Sequence, residues 1–337
     1  MKQQATRALG LTLAITLVGV ISSASFAIEK TANASKLLKT MLQGTAHDAL
    51  FGISFDQGKG VAVGVGGSIF ESEDGGLAWT ALDKAPTASA LLAVDRRGGH
   101  TIAVGQQGVI VVEDAPKQWI AYPGPTNSRL FAVSVAASGV AVASGEFGTV
   151  IRSADGGHTW ASIAPENWDP FISDVPGGNA QPHVYAANIG DNGEIMVAGE
   201  FGVILRSKDD GKTWTAIKHG EYLSPSIFSL YVTDKGVRFA VGQKGDIERS
   251  ADDGKTWSTI ATKTDANLLS ISAKPGGEEL VVTGMRAMLH STDAGMSWQP
   301  VVEDDTLSDW YQAVRTDLAS GRIEAVGHAG KIIEIGG

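Results

Sequence analysis

The sequence predicts an all-β fold, a seven-bladed β-propeller of four-stranded antiparallel blades, and three observations carry that prediction. A unit recurs along the chain, marked by paired glycines: Gly64/Gly67, Gly105/Gly108, Gly145/Gly148, Gly199/Gly202, Gly242/Gly245, Gly284 with Ala287, and Gly327/Gly330. Successive first glycines lie 41, 40, 54, 43, 42 and 43 residues apart. Five of the units continue into Ser-x-Asp-x-Gly-x-x-Trp, beginning at Ser72, Ser153, Ser207, Ser250 and Ser291. Between these marks, apolar residues alternate with the period of a strand rather than a helix. A repeat of roughly forty residues is one supersecondary unit that buries its apolar face only by stacking on copies of itself.

Each unit follows one order. A short apolar run opens it, as in Phe51-Gly-Ile53-Ser-Phe55, Phe131-Ala-Val133-Ser-Val135 and Phe228-Ser-Leu230-Tyr-Val232. A polar, Gly-containing turn such as Asp56-Gln-Gly58, Asp191-Asn-Gly193 or Asp234-Lys-Gly236 follows, with the chemistry of a hairpin. The second strand runs into the first glycine, as Val61-Ala-Val63-Gly64 does, and the third leaves the second glycine, as in Thr149-Val150-Ile151-Arg152. The Asp-x-Gly turn then leads to a fourth strand at the Trp. Four antiparallel strands per unit is the plan of a propeller blade.

The Ser/Asp/Gly/Trp segment explains itself locally. An Asp carboxylate accepts hydrogen bonds from amides of its own turn, Ser does the same from the preceding strand, and Gly takes a conformation that a Cβ would penalise. The Trp ring is expected to bury between neighbouring blades. The pairs Asp74/Trp79, Asp155/Trp160, Asp209/Trp214, Asp252/Trp257 and Asp293/Trp298 therefore read as structural staples, and a decayed copy keeps Asp114 and Trp119. A residue repeated in every blade makes a scaffold, whereas catalysis needs different residues in different blades.

Residues 1–27 have the grammar of a signal peptide: Lys2 and Arg7, an apolar core from Leu9 to Ile21, and Ser25-Phe26-Ala27 as a cleavage site. That core is short for a membrane span. Residues 28–45 form a polar leader with helical spacing near Ser35 to Leu42, and residues 46–337 form the propeller. Blade seven ends at Ile332-Ile333-Glu334-Ile335 without a Trp strand, so the leader is available to donate one and remove an exposed edge. The chain has no cysteine and a net charge of −10, which argues against nucleic acid or an anionic membrane as the partner. The expectation is an exported monomer in the periplasm, with no transmembrane segment in its mature part.

The motifs of common chemistries do not occur. The seven histidines form no His-x-x-x-His or His-x-His pair, and Asp209-Asp210-Gly and Asp252-Asp253-Gly lack the ligand spacing of a calcium loop. Nucleophile elbows, phosphate-cradling loops and cysteine nucleophiles are missing too. No catalytic residue, metal or cofactor is expected.

The Ser/Asp/Gly/Trp segment resembles the Asp box of BNR repeats, found in sialidases, sortilin-like receptors and other propellers. The sialidase Arg-Ile-Pro motif does not occur here. The joined pattern Val/Ala-x-Gly-x-x-Gly-x-Ile followed by Arg-Ser-x-Asp-x-Gly-x-Thr-Trp resembles the photosystem II assembly and stability factors, most closely over Gly145–Trp160, Gly199–Trp214 and Gly242–Trp257. That resemblance implies a non-enzymatic, exported propeller that holds a protein partner, an integral membrane protein or its complex, during assembly. It also implies an arginine patch. Arg152, Arg206 and Arg249 share one position before the Ser of three boxes, where they can form such a stripe or pair with neighbouring acids. The alternative is a periplasmic glycan-binding or glycoside-hydrolysing propeller of the BNR kind.

The one long interval locates a candidate site. Residues 164–182 insert between blades three and four and carry Trp168 and Phe171. The paired-glycine turns lie on the same face, and their middle residues in blades three and four are Glu146-Phe147 and Glu200-Phe201. Trp168, Phe171, Phe147 and Phe201 are expected to cluster there with Glu146 and Glu200 at the rim, either as an exposed patch for a protein partner or as a private mini-core.

Overall fold

The computed structural model describes residues 37–336. Seven four-stranded antiparallel sheets follow one another along the chain. Their first strands are Leu50–Asp56, Leu91–Arg97, Leu130–Val135, Val184–Ile189, Ile227–Val232, Leu268–Ala273 and Tyr311–Thr316. These pack against one another in order, and the seventh closes onto the first, so they form the hub.

Closure uses the N-terminal leader. Leu38–Leu42 pairs antiparallel with Ile332–Ile335 as the fourth strand of blade seven, with Leu38 opposite Ile335 and Thr40 opposite Ile333. The helical spacing expected near Ser35 to Leu42 is thus corrected to a strand over its described part. The same apolar residues serve either structure, and the unpaired edge at Ile332–Ile335 decides between them by offering ladder hydrogen bonds. The signal peptide and residues 28–36 lie outside the described residues.

The first glycine of each turn is required by a close approach. A Cβ on Gly145 or Gly199 would lie 2.1 or 2.0 Å from the carbonyl oxygen of Arg129 or His183, the residue that enters the hub strand of the same blade. The second glycine has positive φ, 71° at Gly148. Blade six carries Ala287 there, and only Arg286 of its turn has positive φ (55°), so the turn adjusts to the Cβ.

The Asp boxes are closed hydrogen-bond units. Ser153 Oγ donates to Asp155 Oδ1 (2.7 Å) and accepts from the Gly157 amide (2.9 Å). Thr159 gives its amide to Oδ1 (2.9 Å) and its hydroxyl to Oδ2 (2.6 Å). Equivalent bonds hold the carboxyls of Asp252 and Asp293 down to about 2. The Trp rings pack between blades: Trp79 against Leu50 and Ile53 of blade one and Val326 and Ile332 of blade seven, Trp257 against Ile204 and Ile227 of blades four and five. Trp298 is buried, while Trp79, Trp160, Trp214 and Trp257 are half-buried. Blade two has lost its box, and Gln118–Tyr122 forms a longer outer strand instead, with Trp119 buried and its indole N–H on Glu71 (2.8 Å).

Candidate partner-binding face

A bulge recurs at the second residue of every hub strand. The register shifts there in all seven blades, at Phe51, Leu92, Phe131, Tyr185, Phe228, Leu269 and Gln312. A bulge re-aims the extra side chain, and all seven line one cavity of about 340 Å³ in the hub. The next position is small in every blade (Gly52, Ala93, Ala132, Ala186, Ser229, Ser270, Ala313), which leaves the space open. The polar lining is Arg129, Arg315, Gln106, Gln312, Tyr185, Ser229 and Ser270.

Four of the seven re-aimed residues are aromatic, and three of them continue outward as a chain of rings. Centroids lie 5.2 Å apart for Phe228 and Tyr185, 5.2 Å for Tyr185 and Phe131, 6.1 Å for Phe131 and His183, and 5.1 Å for His183 and Phe147. Such separations suit edge-on and tilted aromatic pairs. Phe147, at the tip of its turn, is 62% exposed. Its amide donates to His183 Nδ1 (3.2 Å), and the Arg129 guanidinium lies 6.0 Å from the Phe131 centroid. Phe51 stacks on Trp310 (5.9 Å) in blades one and seven.

The expected cluster of four rings divides. Trp168 is 5% exposed, which corrects its place in an exposed patch. It lies beneath the blade-three turn, where a Cβ on Gly148 would meet its indole nitrogen at 2.6 Å, and it joins a core with Ile172, Ala180 and Val203. Phe171 and Phe201 pack against that core, half-buried, and Phe201 stacks on Tyr222 (5.7 Å). Phe147 alone of the four projects freely. The insertion is tied down by Ile172–Ser173, which pairs in parallel with Gly220–Glu221. Asp169 also holds it, accepting the Asn179 and Ala180 amides (2.9 and 2.7 Å).

Glu146 and Glu200 are pins more than a rim. Glu146 Oε2 accepts the Arg129 amide (2.9 Å) and Glu200 Oε2 the His183 amide (2.8 Å). Gln243 does the same for Ser226 (3.1 Å). The three arginines are interblade links: Arg152 reaches Asp210 (2.8 Å), Arg206 reaches Asp253 (3.0 Å), and Arg249 donates to the Ala294 carbonyl (3.2 Å), each in the box of the following blade. The charges of Arg152 and Arg206 are spent within the fold.

The lining of the hub contains no carboxylate, whereas glycoside hydrolysis uses a pair of them. Burial, with Glu200 alongside, pushes the Tyr185 phenol up to about 12, so it stays protonated at neutral pH. Among the described residues no group of three or more His, Asp or Glu side chains is placed to hold a metal. Sequence reasoning missed Tyr185, His183, Phe131 and Phe228 as a cluster. The available signal was the common position of Phe131, Tyr185 and Phe228 as second residue of a hub strand, with His183 just before such a strand.

The model of the family "Photosynthesis system II assembly factor YCF48" matches residues 117–259, from the outer strand of blade two through blade five. No curated protein matches the chain in sequence. Among solved structures, one titled "YCF48 bound to D1 peptide" is similar at 18% identity and TM-score 0.68, covering 89% of this chain and 97% of that one. YCF48 from Cyanidioschyzon merolae is similar at 16% identity and TM-score 0.65, over 89% and 99%. A GH74 xyloglucanase from Xanthomonas campestris shares the fold at 14% identity and TM-score 0.68, over 87% of this chain and 52% of that one. Repeat, ring closure and solved-structure likeness agree on a seven-bladed β-propeller of BNR repeats, and residues 117–259 of it match the photosystem II assembly factor family.

Proposed function

We propose that this protein is a non-catalytic scaffold that, after export, holds an extended segment of a membrane-protein subunit across the face carrying the paired-glycine turns. One observation carries the reading: the unbroken chain of rings from exposed Phe147 through His183, Phe131 and Tyr185 to Phe228 at the cavity. Aromatic side chains on a rigid frame are the usual anchors of protein recognition, because they offer area at low entropic cost. The similar YCF48 structure with a D1 peptide supports a peptide as the class of ligand. No helix among the described residues is long and apolar enough to cross a membrane, which suits a partner that supplies the membrane part.

A photo-crosslinking residue in place of Phe147, compared with one in place of Met296 on the Asp-box face, tests this in the native envelope. The expected result is a crosslink from position 147 to one integral membrane protein and none from 296. Crosslinks from both positions, or from neither, would reject the assigned face.

A further inference from the structure

We infer that the hub cavity is itself a binding site for an apolar carboxylate, with Arg315 as its anion-binding group. Arg315 lies three residues beyond the bulged Gln312 on the hub strand of blade seven, about 10 Å further along at ~3.3 Å per residue. It lines the same cavity as the aromatic arc. Its Nη1 donates to the Val314 carbonyl (2.9 Å) and the Ser270 hydroxyl (3.3 Å), both neutral. A guanidinium carries five donors, and no carboxylate among the described residues pairs with this one.

Most of the described arginines pair with a carboxylate, whereas Arg249, like Arg315, meets only a neutral acceptor. Arg96 pairs with Glu113 (3.0 Å), Arg238 with Glu194 (2.9 Å), and Arg322 with Glu334. The carboxylate at the equivalent hub position of blade two, Asp95, is taken by the Ser54 hydroxyl (2.9 Å) and the Val135 amide (2.8 Å). A half-buried cation is costly without a counter-charge, and a bound carboxylate supplies one with two-point geometry. Phe131, Tyr185 and Phe228 offer ring faces and edges to its apolar body. Arg129 stands at the mouth, only loosely engaged with Glu146 (3.9 Å). At about 340 Å³ the cavity falls at the lower end of small-molecule sites, so it takes one compact group. That group is either a free organic acid or the carboxyl terminus of a peptide.

Calorimetric titration of the purified propeller tests the site with 4-phenylbutyrate against 4-phenylbutanol, and with a pentapeptide ending in Phe against its C-terminal amide. The acids are expected to bind at least tenfold more tightly than their neutral counterparts. Arg315→Met should erase the difference and Arg315→Lys restore part of it. Gln312→Trp, at the half-exposed mouth, should weaken the acids and serves should Arg315→Met not fold. Binding of phenylbutyrate alone assigns the site to a free acid, and preference for the free-acid peptide assigns it to a chain terminus; both support the inference. Equal affinity for acid and neutral probe, undiminished binding in both Arg315→Met and Gln312→Trp, or no binding at millimolar concentration overturns it. Partner capture is read from position 147, so the two proposals can fail separately.

Discussion

On the Asp-box face five blades repeat one short sequence, and each carboxylate is saturated by its own turn, as Asp155 is by Ser153 and Thr159. On the opposite face the paired-glycine turns keep one backbone path while their middle residues change from blade to blade: Val65-Gly66, Gln106-Gln107, Glu146-Phe147, Glu200-Phe201, Gln243-Lys244, Met285-Arg286, His328-Ala329. The repeated face spends its box carboxylates internally. The varied face holds its turns by backbone geometry and leaves the side chains free to differ. Difference between blades, not recurrence, marks where this propeller has room for function.

The comparison is broken most severely on the repeated face. Trp298, 3% exposed, packs with Phe239 and Leu289 between blades five and six. Trp298→Ala is expected to cost about 3–5 kcal/mol, measured by denaturant unfolding. Loss below about 1 kcal/mol would show that the box Trp is no staple.

A second test uses the seam where the ring closes. Glu324 occupies a position that is Val61, Ile102, Val142, Met196, Phe239 or Val281 in the other blades. It is fully buried, accepts the Trp79 indole N–H (3.1 Å), and burial pushes its carboxyl up to about 8. The folded state therefore holds a proton that the unfolded chain releases near pH 4.5, and stability should fall as pH rises from that value through about 8. Glu324→Gln removes this dependence. Its melting temperature should exceed that of the parent at pH 9 and approach it at pH 4.5; parallel pH profiles would contradict the assignment.

The smallest effect on stability belongs to the varied face. Phe147→Ala should shift unfolding by no more than about 0.5 kcal/mol, as exposed substitutions do, yet greatly reduce partner capture in a pull-down. A large loss of stability would return Phe147 to the scaffold.

Much of the fold was legible because repetition multiplies weak signals. One hairpin or one Asp-x-Gly turn says little, but seven paired-glycine turns in phase fix the blade number, and the residues beside each Gly fix the face. The site was less legible for a definite reason. Alternation along Phe131-Ala-Val133 reads as a regular strand, whereas the register shift at Phe131 is a property of two paired strands that neither strand's sequence announces. Trp168 was found as an aromatic in an insertion, but its burial depends on the space beneath Gly148, which no neighbour of Trp168 in sequence reports.

The sequence by itself determined the blade plan, the Asp boxes and the two chemically distinct faces, because these follow from local hydrogen bonding, backbone sterics and strand period. Tertiary structure alone decided that Leu38–Leu42 is a strand, that Arg152 and Arg206 are neutralised by the next blade, and that Arg249 and Arg315 meet neutral acceptors instead. Those outcomes depend on partners brought together by ring closure, and an edge, a counter-charge or a cavity exists only once the ring has closed.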